Sequence, residues 1–350
     1  MPSPPSTLTR VWISFSAGQT TLHFSASQWF ALCSSPVFSI PPLPSSQSPS
    51  TSGPWQYSFD EALIFNVASE LGWPWAPNKH LPFAFVFPYL GFDWDLSNKT
   101  VSIPLKKCSK YLACLESWSA GSSVSLKECQ SVIGCLQHCT LVLSEGCSHL
   151  PSLYCFCSSF KNPLNSFTRH RIPSSCLSDI SWWRSQLSSH WCGTTISTPP
   201  DPLPNLIFVD ASTSFGIGLV LDSRWLAWKL LAGWHSDGRD IGWAEMVAVD
   251  LGLHTLIHAG FRDCHLTLHS DNQGVVEALK SGRSRNTSQN FILHQIVSNF
   301  RDHNIWLSFR WIKSSDNISD QISCGRFPPS SCLDHPPPLP HYLKSFVSLC

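Results

Sequence analysis

Four carboxylates in the second half of the chain occupy places where a strand-and-helix protein gathers ligands. Asp210 closes the apolar run Leu206-Ile-Phe-Val-Asp, and Asp271 closes His265-Leu-Thr-Leu-His-Ser-Asp. Glu245 lies in Gly242-Trp-Ala-Glu-Met, among apolar neighbours where a carboxylate needs a partner. Asp320 follows a final apolar run, in Asn317-Ile-Ser-Asp. Ligands collected at strand ends along one sheet edge are how α/β active sites form. Three or four oxygen donors without thiolate or imidazole suit Mg2+ or Mn2+. Two such ions about 4 Å apart can activate a water and stabilise the leaving oxygen of a phosphodiester. Each acid also has an ordinary reading: Asp210 and Asp271 as strand-end caps, Glu245 as a solvated helix residue, and Asp320 or Asp316 as the N-cap of a last helix.

The elements that must hold these acids can be read from periodicity. Leu206 to Asp210 reads as a buried strand, and Gly216-Ile-Gly-Leu-Val-Leu and Arg224-Trp-Leu-Ala-Trp-Lys-Leu as two strands joined at Asp222-Ser223. Asp240 to Ile257 reads as a helix, His265 to Asp271 as a strand, and Asn272 to Lys280 and Gln289 to Phe300 as helices. Ile305-Trp-Leu-Ser-Phe-Arg-Trp-Ile is the last strand. The order β-β-β-α-β-α-α-β-α predicts an α/β domain over 204–328, a mixed five-stranded sheet flanked by helices.

Upstream, Ala84 to Leu96 reads as a strand with Val101-Ser-Ile-Pro closing a hairpin. Leu105 to Trp118 and Ser125 to Leu143 have helical spacing, the second opened by a capping box of Ser125 and Glu128. These place a smaller α+β region at 55–160 and a Pro- and Ser-rich linker at 161–203, interrupted by Ile180-Ser-Trp-Trp-Arg. Residues 1–54 are Ser- and Pro-rich, clearest at Ile40-Pro-Pro-Leu-Pro-Ser-Ser-Gln-Ser-Pro, and 329–350 form a similar tail with Pro336-Pro-Pro. Both read as loop or disorder.

Composition restricts the classes further. The 350 residues are 43% hydrophobic and only 13% charged, with no net charge, so no global basic field announces a nucleic-acid binder. Fifteen cysteines, an odd number, follow an N-terminus without a secretory signal, which predicts reduced thiols and an intracellular protein. No Cys-x-x-Cys pair suggests zinc, and no apolar run reaches the roughly 18 residues that a bilayer requires. No membrane partner and no small-molecule substrate are expected.

Taken together, Val209-Asp-Ala-Ser-Thr, Trp225-x-x-Trp, Ala244-Glu-Met, Ser270-Asp-Asn-Gln-Gly and Trp311-Ile-x-Ser-x-x-Asn-x-x-Asp resemble the ribonuclease H domain of retroelement reverse transcriptases, with most likeness to the gypsy-type and DIRS-like groups. The resemblance implies a ribonuclease H-like fold, two divalent ions held by Asp210, Glu245, Asp271 and Asp320, and hydrolysis of the RNA strand of an RNA–DNA hybrid. Asp210, Glu245 and Asp271 would hold one ion, Asp210 and Asp320 the other, while a water attacks phosphorus in line and the 3′ oxygen leaves. Tyr89-Leu-Gly-Phe-x-Trp-Asp-Leu and Gln130-Ser-x-Ile-Gly-x-Leu-x-His resemble the thumb-to-connection region that precedes that domain. Arg239, Asn272, Gln273, Arg283, Arg285 and Asn286, with Gln289 nearby, are the candidates for contact with the nucleic acid.

The chain also departs from that pattern. No Tyr-x-Asp-Asp motif occurs, so DNA synthesis is not expected, and a separately encoded polymerase region becomes a candidate partner. The family's closing Ser-Arg-Gly stands here as Ser323-Cys-Gly, and its Gly-Arg as Gly146-Cys147. Both exchanges suit a decaying element copy, which makes a catalytically inactive remnant the chief rival reading. An integrase would want its catalytic Glu well beyond Asp271, and Glu277 follows too closely. A proofreading exonuclease would want Asp-x-Glu on the first strand, which is absent. An interaction module using the Pro-rich ends is the remaining alternative.

Overall fold

The structure, a computed structural model, describes residues 12–17, 20–25, 61–72, 84–160, 168–329 and 332–350. In chain order it comprises strands β1 (Trp12–Ala17) and β2 (Thr20–Ser25), helix α1 (Glu61–Glu70), and strands β3 (Val86–Tyr89), β4 (Phe92–Asp95) and β5 (Thr100–Ser102). Helix α2 (Leu105–Leu115), strand β6 (Ser123–Ser125), helix α3 (Leu126–Cys139), a 3-10 turn (Ser144–His149), α4 (Pro151–Ser158), β7 (Arg169–Arg171), α5 (Ser174–Leu187) and β8 (Gly193–Thr195) follow. The rest is β9 (Ile207–Ala211), β10 (Gly216–Leu221), β11 (Arg224–Leu230), α6 (Ile241–His258), β12 (Cys264–Ser270), α7 (Gln273–Ser281), α8 (Thr287–Asp302), β13 (Ile305–Trp311), α9 (Asp320–Ser323) and β14 (Val347–Leu349).

Two compact units result, residues 1–104 with 193–196, and residues 105–192 with 197–350. The first holds the β1–β2 hairpin and an antiparallel sheet in the order β3-β4-β5-β8. The run 84–96 is two strands and not one, because Leu90 and Gly91 adopt φ of 52° and 83° and turn the chain back on itself. A hairpin also lies within 1–54, where loop was expected; the remainder of that segment falls outside the described residues.

In the second unit the helical segment forms as its spacing predicts. Helix α2 buries Cys108, Tyr111 and Leu115, and α3 starts at a complete capping box of Ser125 and Glu128. The expected linker does not describe 174–187, which is helix α5, with Ile180, Trp183 and Leu187 buried on one face. The polar and serine-rich composition around that face hid its three-to-four spacing.

The main sheet has six strands in the order β13-β12-β9-β10-β11-β14. β9, β12 and β13 run parallel; β10, β11 and β14 add antiparallel. This mixed sheet flanked by helices is consistent with a ribonuclease H-like fold, with one strand beyond the expected five. Helix α6 packs on β9, β10 and α8, and is buried on nearly every side, which is why its sequence is apolar all round. Ile207, Val209, Leu219, Trp228, Met246, Val249 and Leu253 form the middle of that core.

The sixth strand comes from the tail that was expected to be loop. Val347, Ser348 and Leu349 pair with Leu230, Lys229 and Trp228, and Leu343 and Val347 enter the core. Tyr342 donates from its hydroxyl to Asp250 Oδ2 at 2.8 Å. Asp250 is fully buried in α6, and burial pushes its carboxyl up to about 7 despite that hydrogen bond. The folded protein therefore holds a proton that the unfolded chain has released. Its stabilising effect is complete below about 4 and is lost as pH rises through about 7. Asp250→Asn, which keeps an acceptor for Tyr342, is expected to raise the melting temperature at pH 8 far more than at pH 5. A tenfold change in proton affinity is worth about 1.4 kcal/mol, so the difference amounts to a few kcal/mol. Equal shifts at both pH values in thermal unfolding would contradict it. Among the described residues no helix is long and apolar enough to cross a membrane.

Candidate metal centre

Parallel pairing of β9 and β12 places their carboxyl ends on the same sheet edge. The register sets Leu268 beside Ile207 and His269 beside Phe208, so two residues further on Asp271 comes beside Asp210. Glu245 reaches the same point from the second turn of α6, whose start is fixed by Asp240 accepting from the Trp243 amide at 2.9 Å. Ligand oxygens of Asp210, Glu245 and Asp271 all lie within 4.8 Å of one another.

This gathering is costly without a counter-charge. Asp210 and Glu245 are each only 5% exposed. Burial first, then the neighbouring Asp271, pushes Asp210 up to about 7, against a lowering hydrogen bond from Ser323. Burial, followed by the charges of Asp210 and Asp271, pushes Glu245 up to about 9. Glu245 has lowering contacts with the Ala211 backbone and the Asn272 side chain, yet its Oε2 is buried with no hydrogen-bond partner. An orphaned carboxylate oxygen facing two further carboxylates fits a divalent cation, and the all-oxygen donor set fits Mg2+ or Mn2+.

Two residues outside the sequence candidates complete the centre. Asn317 Nδ2 donates toward Asp210 Oδ1 at 3.3 Å, Asp271 Oδ1 at 3.2 Å and the Val209 carbonyl at 3.2 Å. Its own Oδ1 accepts from Ser319 Oγ at 2.6 Å, which fixes the amide orientation. Ser323 Oγ donates to Asp210 Oδ2. Both residues stand in motifs quoted above, but an uncharged Asn or Ser carries no signal of its own there. Asn317→Asp, replacing the shared donor with a fourth charge, is expected to cost about 1–3 kcal/mol in chelator and to make folding depend on Mn2+. Melting curves with and without Mn2+ check this; an Mn2+-independent variant would count against it.

Asp320 is not brought into the group of three. It is the first residue of α9, its side chain 46% exposed and 3.7 Å from Arg326 Nη2. Its charge still reaches Asp210 as a small raising influence. Asp316 is exposed in a 3-10 turn, and Ser319, not either Asp, holds the N-cap position.

The expected nucleic-acid contacts divide. Gln273, Arg283 and Arg285 are exposed, the arginines in the turn between α7 and α8. Asn272 and Asn286 cap α7 and α8 through their side-chain oxygens, and Asn272 also reaches Glu245. Arg239 is committed internally. It donates to the Trp234 carbonyl at 2.7 Å and Ser236 Oγ at 2.8 Å, pairs with Asp237, and lies 4.2 Å over Phe346. Phe346 belongs to the tail whose packing the sequence did not reveal. Trp311, 48% exposed and donating from Nε1 to the Asp271 carbonyl at 2.9 Å, instead presents an aromatic face beside the carboxylates.

No protein-family model matches the chain, and no curated protein matches it. Among solved structures, it is similar to the foamy viral protease-reverse transcriptase dRH in complex with ds DNA (15% identity over 71% of this chain and 41% of that one, TM-score 0.30). It is also similar to the foamy viral protease-reverse transcriptase in complex with RNA/DNA hybrid (14% identity, 79% and 35%, TM-score 0.32). A third similar structure is the same viral protein in complex with dsDNA (16% identity, 71% and 49%, TM-score 0.30). The chain thus spans less than half the length of each protein it resembles.

Proposed function

We propose that the chain is a metal-dependent nuclease that hydrolyses the RNA strand of RNA–DNA hybrids, of the retroelement ribonuclease H type. The convergence of Asp210, Glu245 and Asp271, with a buried Glu245 oxygen left unpartnered, is the observation that carries this reading. Mg2+ or Mn2+ suits these residues; Asp210, Glu245 and Asp271 would hold one ion, and Asp210 with Asp320 a second. Bound there, the ions would supply positive charge that favours deprotonation of an attacking water and offsets charge on the departing 3′ oxygen. Asn317 keeps Asp210 and Asp271 in a fixed mutual orientation, and Ser323 holds the second Asp210 oxygen. Gln273, Arg283, Arg285 and the face of Trp311 would contact the hybrid, with a polymerase region as the partner that supplies it.

A second reading, an inactive remnant that binds nucleic acid weakly, is favoured by Asp320 lying toward Arg326 and by the internal commitment of Arg239. Incubation of the full chain with strand-labelled hybrid, double-stranded DNA and double-stranded RNA in Mg2+ and in Mn2+ separates the two. Cleavage confined to the RNA strand of the hybrid is expected. A folded sample that cuts nothing favours the remnant, and cutting of the DNA strand overturns the substrate assignment.

A further inference from the structure

A second cluster of metal-ligating side chains lies in the same unit, apart from the carboxylate centre in its chemistry. His149 ends the 3-10 turn, Asp179 lies in α5 and His294 in α8, and one ligand atom of each falls within 4.8 Å of the others. Two imidazoles and a carboxylate form a donor set suited to Zn2+, Co2+ or Ni2+, unlike the all-oxygen set of Asp210, Glu245 and Asp271.

Two of the three donors are already held by a contact outside the cluster. Asp179 is 6% exposed; its Oδ1 lies 2.9 Å from His149 Nδ1, and its Oδ2 accepts from Ser152 Oγ. His294 Nε2 lies 2.6 Å from the Ser148 carbonyl, which can only accept, so the ring proton sits on Nε2 and the lone pair on Nδ1. Asn290 Nδ2 donates to the same carbonyl at 2.7 Å while its Oδ1 accepts from the Ser284 amide at 3.0 Å. That fixed amide leaves the 3.1 Å approach of Asn290 Nδ2 to His294 Nε2 as two donors sharing one acceptor. A histidine with one ring N–H held by a backbone carbonyl, and a carboxylate held by a hydroxyl, are the supports that ligands of bound metals have.

We propose that His149, Asp179 and His294 bind one Zn2+-class ion that ties the 3-10 turn and α5 to α8. Tetrahedral donors about 2.1 Å from the ion stand roughly 3.4 Å apart, so the 2.9 Å contact between His149 Nδ1 and Asp179 Oδ1 must open slightly. His149 makes that adjustment. Its ring lies between Trp182, at 4.0 Å and 12°, and His294, at 4.1 Å and 22°, and turns off this stack to share the ion. Its neighbours stay fixed, because the Trp183 Nε1 donates to the His149 carbonyl at 3.1 Å and Gly146 lies directly against the Trp183 ring. Three protein donors leave a fourth position for water. An ion bound only by the folded chain adds to its stability.

The full chain is titrated with Co2+ in buffer that holds excess Mg2+ throughout. Visible bands of four-coordinate Co2+ are expected without near-ultraviolet sulfur-to-cobalt absorption, which would signal the cysteines. Zn2+ should abolish the bands and raise the melting temperature with its concentration. His294→Gln, whose amide can still donate to the Ser148 carbonyl, is expected to lose the bands, whereas Asp210→Asn keeps them. Ser152→Ala should weaken binding about 10-fold or more. Sulfur-to-cobalt absorption in the parent, absence of a cobalt spectrum, or bands that persist in a folded His294→Gln would each overturn the proposal. Because the parent spectrum alone separates imidazole from thiolate ligation, an unstable variant does not remove the test.

Discussion

Asp210→Asn is expected to lower divalent-dependent cleavage of the RNA strand by about 10²–10³-fold or more, and at the same time to stabilise the metal-free protein. The two effects share one cause. Asp210 is buried beside Asp271 and Glu245, and the three carboxylates disfavour one another's charge. The upward displacements of Asp210 to about 7 and Glu245 to about 9 mean that the folded, metal-free chain holds protons that the unfolded chain releases. Stability in chelator is therefore complete below about pH 4 and falls as pH rises through about 7 and then about 9. Asn removes one charge from the group, while its carbonyl oxygen can still accept from Ser323. Strand-resolved cleavage and thermal unfolding in chelator at pH 8 read the two effects separately. Loss of both activity and stability would mark Asp210 as a structural residue, and retention of activity would contradict its proposed role.

Gly218→Ala is expected to cost about 1–3 kcal/mol and to reduce cleavage, although residue 218 has no polar side chain to contribute. Gly218 lies opposite Asp210 in the β9–β10 register. A Cβ there would stand 2.7 Å from the Ser319 carbonyl oxygen, 2.7 Å from the Ser323 amide and 2.9 Å from Ile322 Cβ. Two of those contacts are backbone, so relief requires α9 to lift from the sheet. Lifting α9 withdraws Ser323 from Asp210, and the chain leading into α9 carries Asn317. Thermal unfolding measures the first effect. A ratio of cleavage rates at saturating Mn2+, taken below the melting transition, measures the second. A variant with parental stability and rate would show that the approach of α9 does not position the centre.

Most of what positions the carboxylates is local, and it was legible for that reason. A strand carrying Asp210 one residue before its end, a parallel one followed at once by Asp271 and a capped helix carrying Glu245 are each written in one short stretch of apolar periodicity. Asp320 was assigned from its place in the motif, and a sequence position does not fix the direction of a side chain on a single helical turn, which here lies 3.7 Å from Arg326 Nη2. Arg239 resembled a free phosphate donor until Phe346 covered it from more than a hundred residues away. The same long-range packing makes a strand of Val347–Leu349, whose three residues after a proline-rich run have no periodicity to detect. His149, Asp179 and His294 are equally scattered in sequence, and only the packing of α8 on the 3-10 turn and of that turn on α5 unites them.

Mn2+ binding followed by electron paramagnetic resonance tests whether Asp210, Glu245 and Asp271 are metal ligands. Titration of the full chain should show saturable loss of the free Mn2+ signal, competed by Mg2+. Binding should be abolished or greatly weakened in folded Asp210→Asn and Glu245→Gln, and unchanged in His294→Gln. Saturable binding that survives both carboxylate substitutions, or no binding to the folded parent, would contradict the claim and the nuclease reading built on it.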